Sequence, residues 1–188
     1  IRTGSLYHDV GKLHAPDWFI ENQKDGPNPH DALDDPQASA AVLQAHVDEG
    51  LKLARRHRLP RPIADFIPEH QGTLKMGYFL HKAQERGVVV EERRFRYRGP
   101  EPRTKETAIL MLADGCEAAL RSLPPDTSDA QAVSTVRRIV EARQRDGQLR
   151  KSSLNRSEVE LVIRAFVQVW RRMRHRRICL LYTSPSPR

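Results

Sequence analysis

Four stretches of the chain place an ionisable side chain among apolar neighbours or at a helix end. His8 and Asp9 stand together in "LYHDVGKLH", with Lys12 three residues on. His46 lies within "SAAVLQAHVDEGLKLA", His70 within "PEHQGT", and Asp114 directly after the apolar run Ala108–Ala113. A carboxylate in such a run is costly to bury unless it is paired or bound to a metal. Imidazole plus carboxylate is the ligand set of iron, manganese or zinc. A carboxylate shared between two such ions helps to activate a water for in-line attack on phosphorus. Taken singly, each residue has a plainer reading: His46 as a satisfied core histidine, Asp114 as a cap or ion-pair partner, His70 as a helix cap, Lys12 as a solvated helix-end lysine. The order HD, H, EH-x-G-T, LAD is far more specific than any one of its members.

These residues need helices to position them. Apolar periodicity predicts a helix over 37–57 that carries Leu43, His46, Val47, Gly50, Leu51 and Ala54 on one face, so His46 is expected on the buried side. Residues 1–13 read as the end of a helix, 62–70 as a short helix after Pro60 and Pro62, and 73–86 as another. Thr104 is expected to cap 105–121, and Ser128 or Asp129 to cap 130–146. Ser157 with Glu160 forms a capping box for a last helix over 158–175. Residues 15–36 are rich in Pro, Asp and Asn, a long irregular connection anchored by Trp18, Phe19 and Ile20, and such connections are usually functional or disordered. Residues 87–102 read as extended or a short ribbon. The expected fold is all-α, a helical bundle of about six to seven helices.

Bulk properties narrow the function. Charged residues make up 30% and aromatic residues 6% of the chain, which suits a helical protein better than a β-sandwich. The net charge is +8, but residues 171–188 hold six arginines and no acid, leaving 26 basic against 24 acidic residues elsewhere. A nearly neutral body argues against DNA or RNA as a partner. Cys116 and Cys179 have no metal or disulfide spacing and read as free thiols. No long apolar run or signal peptide is present. The chain begins with Ile1 inside helix-like sequence, and reads as a piece whose upstream part, with any membrane segments, lies outside it. Residues 1–170 are expected to form the domain. Residues 171–188 are expected to be a basic end with a tail, "CLLYTSPSPR", that fits neither the helix before it nor a cap and reads as non-native.

"YHDVGKL", His46, "EHQGT" and "MLAD" together resemble the HD-domain phosphohydrolases. "FRYRGPEPRTKETAILMLADGCEAALRSL" and "DGQL" are similar to one branch, the cytoplasmic domain of seven-transmembrane-receptor HD hydrolases, over roughly residues 1–170. The resemblance implies an HD-domain bundle and a metal-dependent phosphodiesterase that hydrolyses cyclic di-AMP to linear pApA with two divalent ions, iron or manganese. It also implies a membrane-anchored parent on the cytoplasmic face of a bacterial inner membrane. Position by position, it implies His8, Asp9 and Asp114 as ligands of one metal, His46 and His70 as ligands of the second, Asp9 as the bridge, and Lys12 as the cation beside a phosphate oxygen. Two departures stand out. Gln71 occupies the place of a second adjacent histidine, so the second site is weakened, completed by a water or by the Gln71 amide, or empty. A further first-site histidine, expected on an upstream helix, lies outside the chain.

The basic stretch 94–107 supplies Tyr97, Arg98, Arg103 and Lys105 as candidates for phosphate and adenine contacts, against a plain solvated loop. No GYP signature follows the HD pair, which counts against the cyclic di-GMP branch. Two alternatives to a cyclic dinucleotide phosphodiesterase stay open: a nucleotide-sensing domain with weakened catalysis, motivated by Gln71, and an HD hydrolase of another nucleotide such as a dNTP or ppGpp.

Overall fold

Side-chain caps start the three helices around which the rest is arranged. Asp35 Oδ1 accepts the Gln37 and Ala38 N–H groups at 2.9 and 3.0 Å, and Pro36 fills the first helical position, where its missing N–H costs nothing. Thr104 forms a reciprocal capping box with Thr107, and Ser128 forms one with Gln131. The computed structural model describes residues 1–23, 27–87 and 89–182, with side chains described through residue 174.

Among the described residues there are nine α-helical segments: α1 Arg2–Tyr7, α2 Pro29–Leu33, α3 Pro36–Arg56, α4 Arg61–Ala64, α5 Phe66–Glu69, α6 Gly77–Glu85, α7 Lys105–Arg121, α8 Asp129–Arg145 and α9 Arg156–Tyr182. The expected all-α bundle is what forms. The count exceeds six or seven because the short helix expected over 62–70 is broken at Asp65 into α4 and α5, and the loop after residue 15 contains α2. Short 3-10 turns fill Val10–His14, Pro16–Trp18 and Ile20–Asn22.

The described residues form two apolar centres. Met111, Leu112 and Cys116 of α7 pack with Val136 and Val140 of α8 and with Ile163 and Val167 of α9. Ala40 of α3 packs with Phe79 and Leu80 of α6 and with Phe95. Tyr97 touches both, so the segment that carries it joins the two halves. Against α3 lies the turn Val10–His14, and here glycine is required. A Cβ on Gly11 would fall 1.8 Å from the His46 carbonyl oxygen and 2.4 Å from the Gly50 nitrogen. Backbone touches backbone at this crossing, and the adjacent His8–Asp9 pair is thereby fixed against the His46 face of α3.

Three expectations are corrected. Ile20 is no anchor: it is 74% exposed, whereas Phe19 is buried. The ribbon over 87–102 reduces to a 3-10 turn, Glu92–Phe95, and one antiparallel bridge between Lys75 and Arg96. Its partner segment is short, caught between the end of α5 and the start of α6, and Pro100 and Pro102 offer no N–H to extend a ladder. At α9 the cap is Asn155, not Ser157. Asn155 Oδ1 accepts the Glu158 N–H at 2.9 Å, and Glu158 accepts the Asn155 N–H at 3.0 Å. Glu160, expected in the box, instead receives the Arg137 guanidinium from α8 at 2.6 Å. Helix α9 continues without a break past residue 170 to Tyr182. The end of the expected non-native tail, 183–188, lies outside the described residues. Cys116 is a free, buried thiol, and Cys179 lies outside the described side chains. Among the described residues no helix is long and apolar enough to cross a membrane.

Candidate metal centre

His8 is the C-cap of α1 and Asp9 the N-cap of the 3-10 turn that follows. The chain changes direction between them, which lets two adjacent side chains approach one point. His46 lies in the middle of α3, 3% exposed, and His70 is the C-cap of α5, 1% exposed. Their polar atoms converge on the Asp9 carboxylate. Asp9 Oδ2 is 3.2 Å from His8 Nε2, while Oδ1 is 3.3 Å from His70 Nε2 and 3.5 Å from His46 Nε2. His46 Nε2 and His70 Nε2 are 3.5 Å apart. One ligand atom from each of His8, Asp9 and His70 lies within 4.8 Å of the others.

The opposite ring nitrogens define the chemistry of this cluster. His8 Nδ1 faces the Ser5 carbonyl at 2.8 Å, His46 Nδ1 the Leu43 carbonyl at 2.5 Å, and His70 Nδ1 the Ile67 carbonyl at 2.7 Å. A carbonyl only accepts, so each Nδ1 carries a proton and donates it, and in its neutral form each ring presents its Nε2 as a lone pair. Three lone pairs then face a carboxylate that is also an acceptor. Asp9 Oδ1 is buried and makes no hydrogen bond. Acceptors gathered in this way need a shared proton or a cation between them. Ligand atoms about 2.0–2.2 Å from one ion lie about 3–3.5 Å from each other, the spacing seen here. These residues therefore fit a divalent transition metal.

The electrostatics follow from the same arrangement. Burial alone would raise the Asp9 carboxyl, but the contacts of His70 and His8 with it, attractive when those rings are protonated, outweigh burial and hold Asp9 far below the ordinary carboxylate range. Burial and the charge of His70 push the His46 imidazole down to about 4. His8 is also penalised by burial, yet its contact with Asp9 leaves it raised. The Tyr97 hydroxyl is raised by burial and by the charges of Asp9 and Asp114.

The other expected residues are placed as follows. Lys12 Nζ is 2.7 Å from Asp9 Oδ2, also contacts Glu21, and sits 5.0 Å over the Phe19 ring. The rings of Phe19 and Tyr97 flank His46 at 5.5 and 6.0 Å. Asp114, half-buried on α7, acts electrostatically on His8 and Tyr97 but adds no atom to the inner cluster of described residues. Gln71 is half-buried in the turn after His70. The three basic candidates are engaged within the protein. Arg98 pairs with Asp48 at 3.0 Å on the surface, and Lys105 with Glu158 at 2.5 Å. Arg103 is tied to Glu69, with Nη2 2.6 Å from Oε1 and the backbone N–H 2.8 Å from Oε2.

Glu69 was not singled out among the candidate residues. It is 1% exposed, and its carboxylate also accepts the Thr107 hydroxyl at 2.7 Å. A buried carboxylate persists only when its oxygens are satisfied, and these contacts anchor the residue before His70 to the start of α7. The signal was available in "FIPEH", an acid inside an otherwise apolar short helix. Gln148 of "DGQL" acts likewise. Fully buried, it accepts the Thr73 N–H at 3.0 Å and donates to Thr73 Oγ1 at 2.9 Å, fastening the turn after His70 to the end of α8.

Comparison with known proteins agrees with this geometry. Residues 1–119 match the HD domain family. An uncharacterized protein of Synechocystis is 49% identical over 99% of the chain and 24% of its own length. The cyclic-di-AMP phosphodiesterase PgpH of Bacillus subtilis is 36% identical over 94% of the chain and 25% of its length. The chain thus spans about a quarter of the length of the curated relatives it matches. Among solved structures, the HD domain of Listeria monocytogenes phosphodiesterase PgpH in complex with cyclic-di-AMP superposes with a TM-score of 0.87 at 34% identity. That match covers 92% of this chain and 79% of the other.

Proposed function

Because the chain belongs to the HD domain family, we propose that it is a metal-dependent phosphodiesterase that hydrolyses a cyclic dinucleotide, cyclic di-AMP, to linear pApA. The observation that carries this reading is the inward convergence of three imidazole Nε2 atoms on the Asp9 carboxylate, whose buried Oδ1 makes no hydrogen bond. The substrate assignment is supported by the relatives named above and by the complex of the Listeria domain with cyclic-di-AMP.

In this proposal His8, Asp9 and Asp114 would hold one divalent ion, and His46 and His70 would hold a second, with a water or the Gln71 amide completing that set. Iron or manganese suits these ligands. Asp9 suits the shared position, since its two oxygens face different histidines, Oδ2 towards His8 and Oδ1 towards His46 and His70. When bound, such ions lower the pKa of a water and neutralise charge on the phosphoryl group. The chain's own residues do the rest. The i−3 carbonyls lock the three rings, so no reorganisation is needed as charge develops. Lys12, held by Asp9 and Glu21 at the edge of the cluster, offers a compact cation to a phosphate oxygen. Tyr97 and Phe19 wall the site beside His46. A water oxygen forms a new bond to phosphorus and gives up a proton to solvent as the bond to the 3′ oxygen breaks; that oxygen takes a proton from solvent, and the 5′-phosphate stays on the linear product. The relatives are about four times longer than the chain, and we place the parent at the cytoplasmic face of the membrane.

The test is full-length protein, purified without oxygen, supplied with Mn²⁺ and cyclic di-AMP, with pApA followed by chromatography. Formation of pApA that Asp9→Ala abolishes supports the proposal. No product from the wild type, or undiminished product from Asp9→Ala, refutes it. Gln71 favours a second reading, a cyclic-di-AMP sensor with impaired catalysis, in which ligand binds tightly, little is turned over, and Gln71→His restores hydrolysis.

A further inference from the structure

The basic side chains around the site form a pattern with one exception. Lys12 is paired with Asp9 and Glu21, Arg96 with Asp146 and Glu92, Arg98 with Asp48, Arg103 with Glu69 and Asp65, and Lys105 with Glu158. Arg143, near the end of α8, has no carboxylate within 4.0 Å among the described residues, and its buried Nε makes no hydrogen bond. It is nevertheless half-buried against α7. A Cβ on Gly115, the residue after Asp114, would come 3.3 Å from Arg143 Nη2 and 4.0 Å from Cζ. The guanidinium thus occupies the space that the missing side chain leaves. The charges of Cys116, Asp146 and Asp114 act on Arg143, and that of Asp114 also acts on His8 and Tyr97, which links Arg143 electrostatically to the site. The Arg143 carbonyl accepts the N–H of Gln148, the residue that clamps the turn after His70.

An unpaired guanidinium in a half-buried seat is unfavourable unless an anion completes it. Burial accordingly depresses the Arg143 pKa. The planar fork of donors is the shape that matches a phosphate edge. We propose that Arg143, seated over Gly115, is a phosphate-binding residue that receives the phosphodiester of the substrate not engaged at the histidine cluster. This inference rests on the nucleotide phosphodiester reading given above. A cyclic dinucleotide carries two such groups, and among the described residues Arg143 is a cation near Asp114 with no carboxylate within ion-pair distance.

The test separates the anion seat from the substrate assignment. Metal-free protein in EDTA is titrated with inorganic pyrophosphate, and Mn²⁺-loaded protein with cyclic di-AMP, both by calorimetry, for the wild type, Arg143→Gln and Arg143→Lys. Arg143→Gln is expected to weaken both ligands by about ten-fold or more, the effect of losing one charge-assisted pair. Arg143→Lys should recover part of the loss, and Mn²⁺ stoichiometry and melting temperature should be unchanged. Pyrophosphate binding that does not depend on Arg143, or is absent from the wild type, overturns the inference. So does a loss of Mn²⁺ in Arg143→Gln, which would make the residue a support for Asp114. Arg143-dependent pyrophosphate binding without cyclic di-AMP binding upholds the seat and refutes the substrate. If Arg143→Gln fails to fold, the Nε–H resonance of Arg143, assigned by its loss in Arg143→Lys, decides the matter: it must shift on adding pyrophosphate, and an unmoved signal overturns the inference.

Discussion

Arg103 was expected to touch substrate, and the structure assigns it a different partner whose loss has a calculable consequence. Replacing Arg103 with Met leaves Glu69, 1% exposed, with only the Thr107 hydroxyl and one backbone N–H. Removing one member of a buried ion pair typically costs about 3–5 kcal/mol, because the remaining charge stays desolvated. The Arg103 side chain is 41% exposed, so water can enter where it leaves, which reduces the cost to about 2–3 kcal/mol. For a chain of this size that is a fall of roughly 5–10 °C in melting temperature. Replacing both partners, as Glu69→Leu with Arg103→Met, removes the stranded charge and should recover most of the loss. Urea unfolding of the EDTA-treated protein measures all three variants as a cycle. A neutral Arg103→Met, or a double variant less stable than Arg103→Met alone, would refute the account. If Arg103 served substrate alone, its replacement would change ligand affinity and leave the urea midpoint where it was.

Other consequences are equally open to measurement. Gly11→Ala drives a methyl into the backbone of α3 and should cost about 3 kcal/mol or more and weaken Mn²⁺ binding, read by urea unfolding and metal titration. Gln71→His adds an imidazole to the second ligand set and should raise the metal content of anaerobically purified protein; an unchanged content would show that Gln71 leaves that site intact. The Asp146 carboxyl is raised by burial but lowered more by Arg96 and Gln148, so its contribution is present above the usual value of 3.8 and is lost as the pH falls below it. Asp146→Asn should therefore destabilise by about 1 kcal/mol at pH 7, and by progressively less as the pH falls below 3.8, compared by urea midpoints.

The helices around the site were legible because their signals are local. Apolar spacing placed α3 within a residue of its ends, and Thr104 marked the start of α7. At α9 two overlapping caps, Asn155 with Glu158 and Ser157 with Glu160, are equally good locally. The choice is made by Arg137, which claims Glu160 from another helix. The histidines and acids were visible one at a time as polar groups in apolar surroundings. Their convergence was not, because it depends on the Gly11–Gly50 crossing and on Glu69 holding α5 to α7, contacts between residues far apart in the chain. The basic loop showed its charges but not their partners, so Arg103 and Lys105 looked free when Glu69 and Glu158 already hold them.

The carbonyls of Ser5, Leu43 and Ile67, which orient the three imidazoles, belong to the main chain, and that alters how the site can vary over generations. A side chain that aims a ligand can be deleted by one codon change, but a carbonyl survives every substitution at its own position. Drift at position 5 should therefore be tolerated as long as the helical turn persists, while the packed Leu43 and the fully buried Ile67 should accept other apolar residues. Inactivating changes should fall instead on the histidines themselves or on residues that deform the turn, proline above all. A saturation library scored for metal retention would show a permissive position 5 and positions 43 and 67 that accept apolar residues, each three residues before an intolerant histidine.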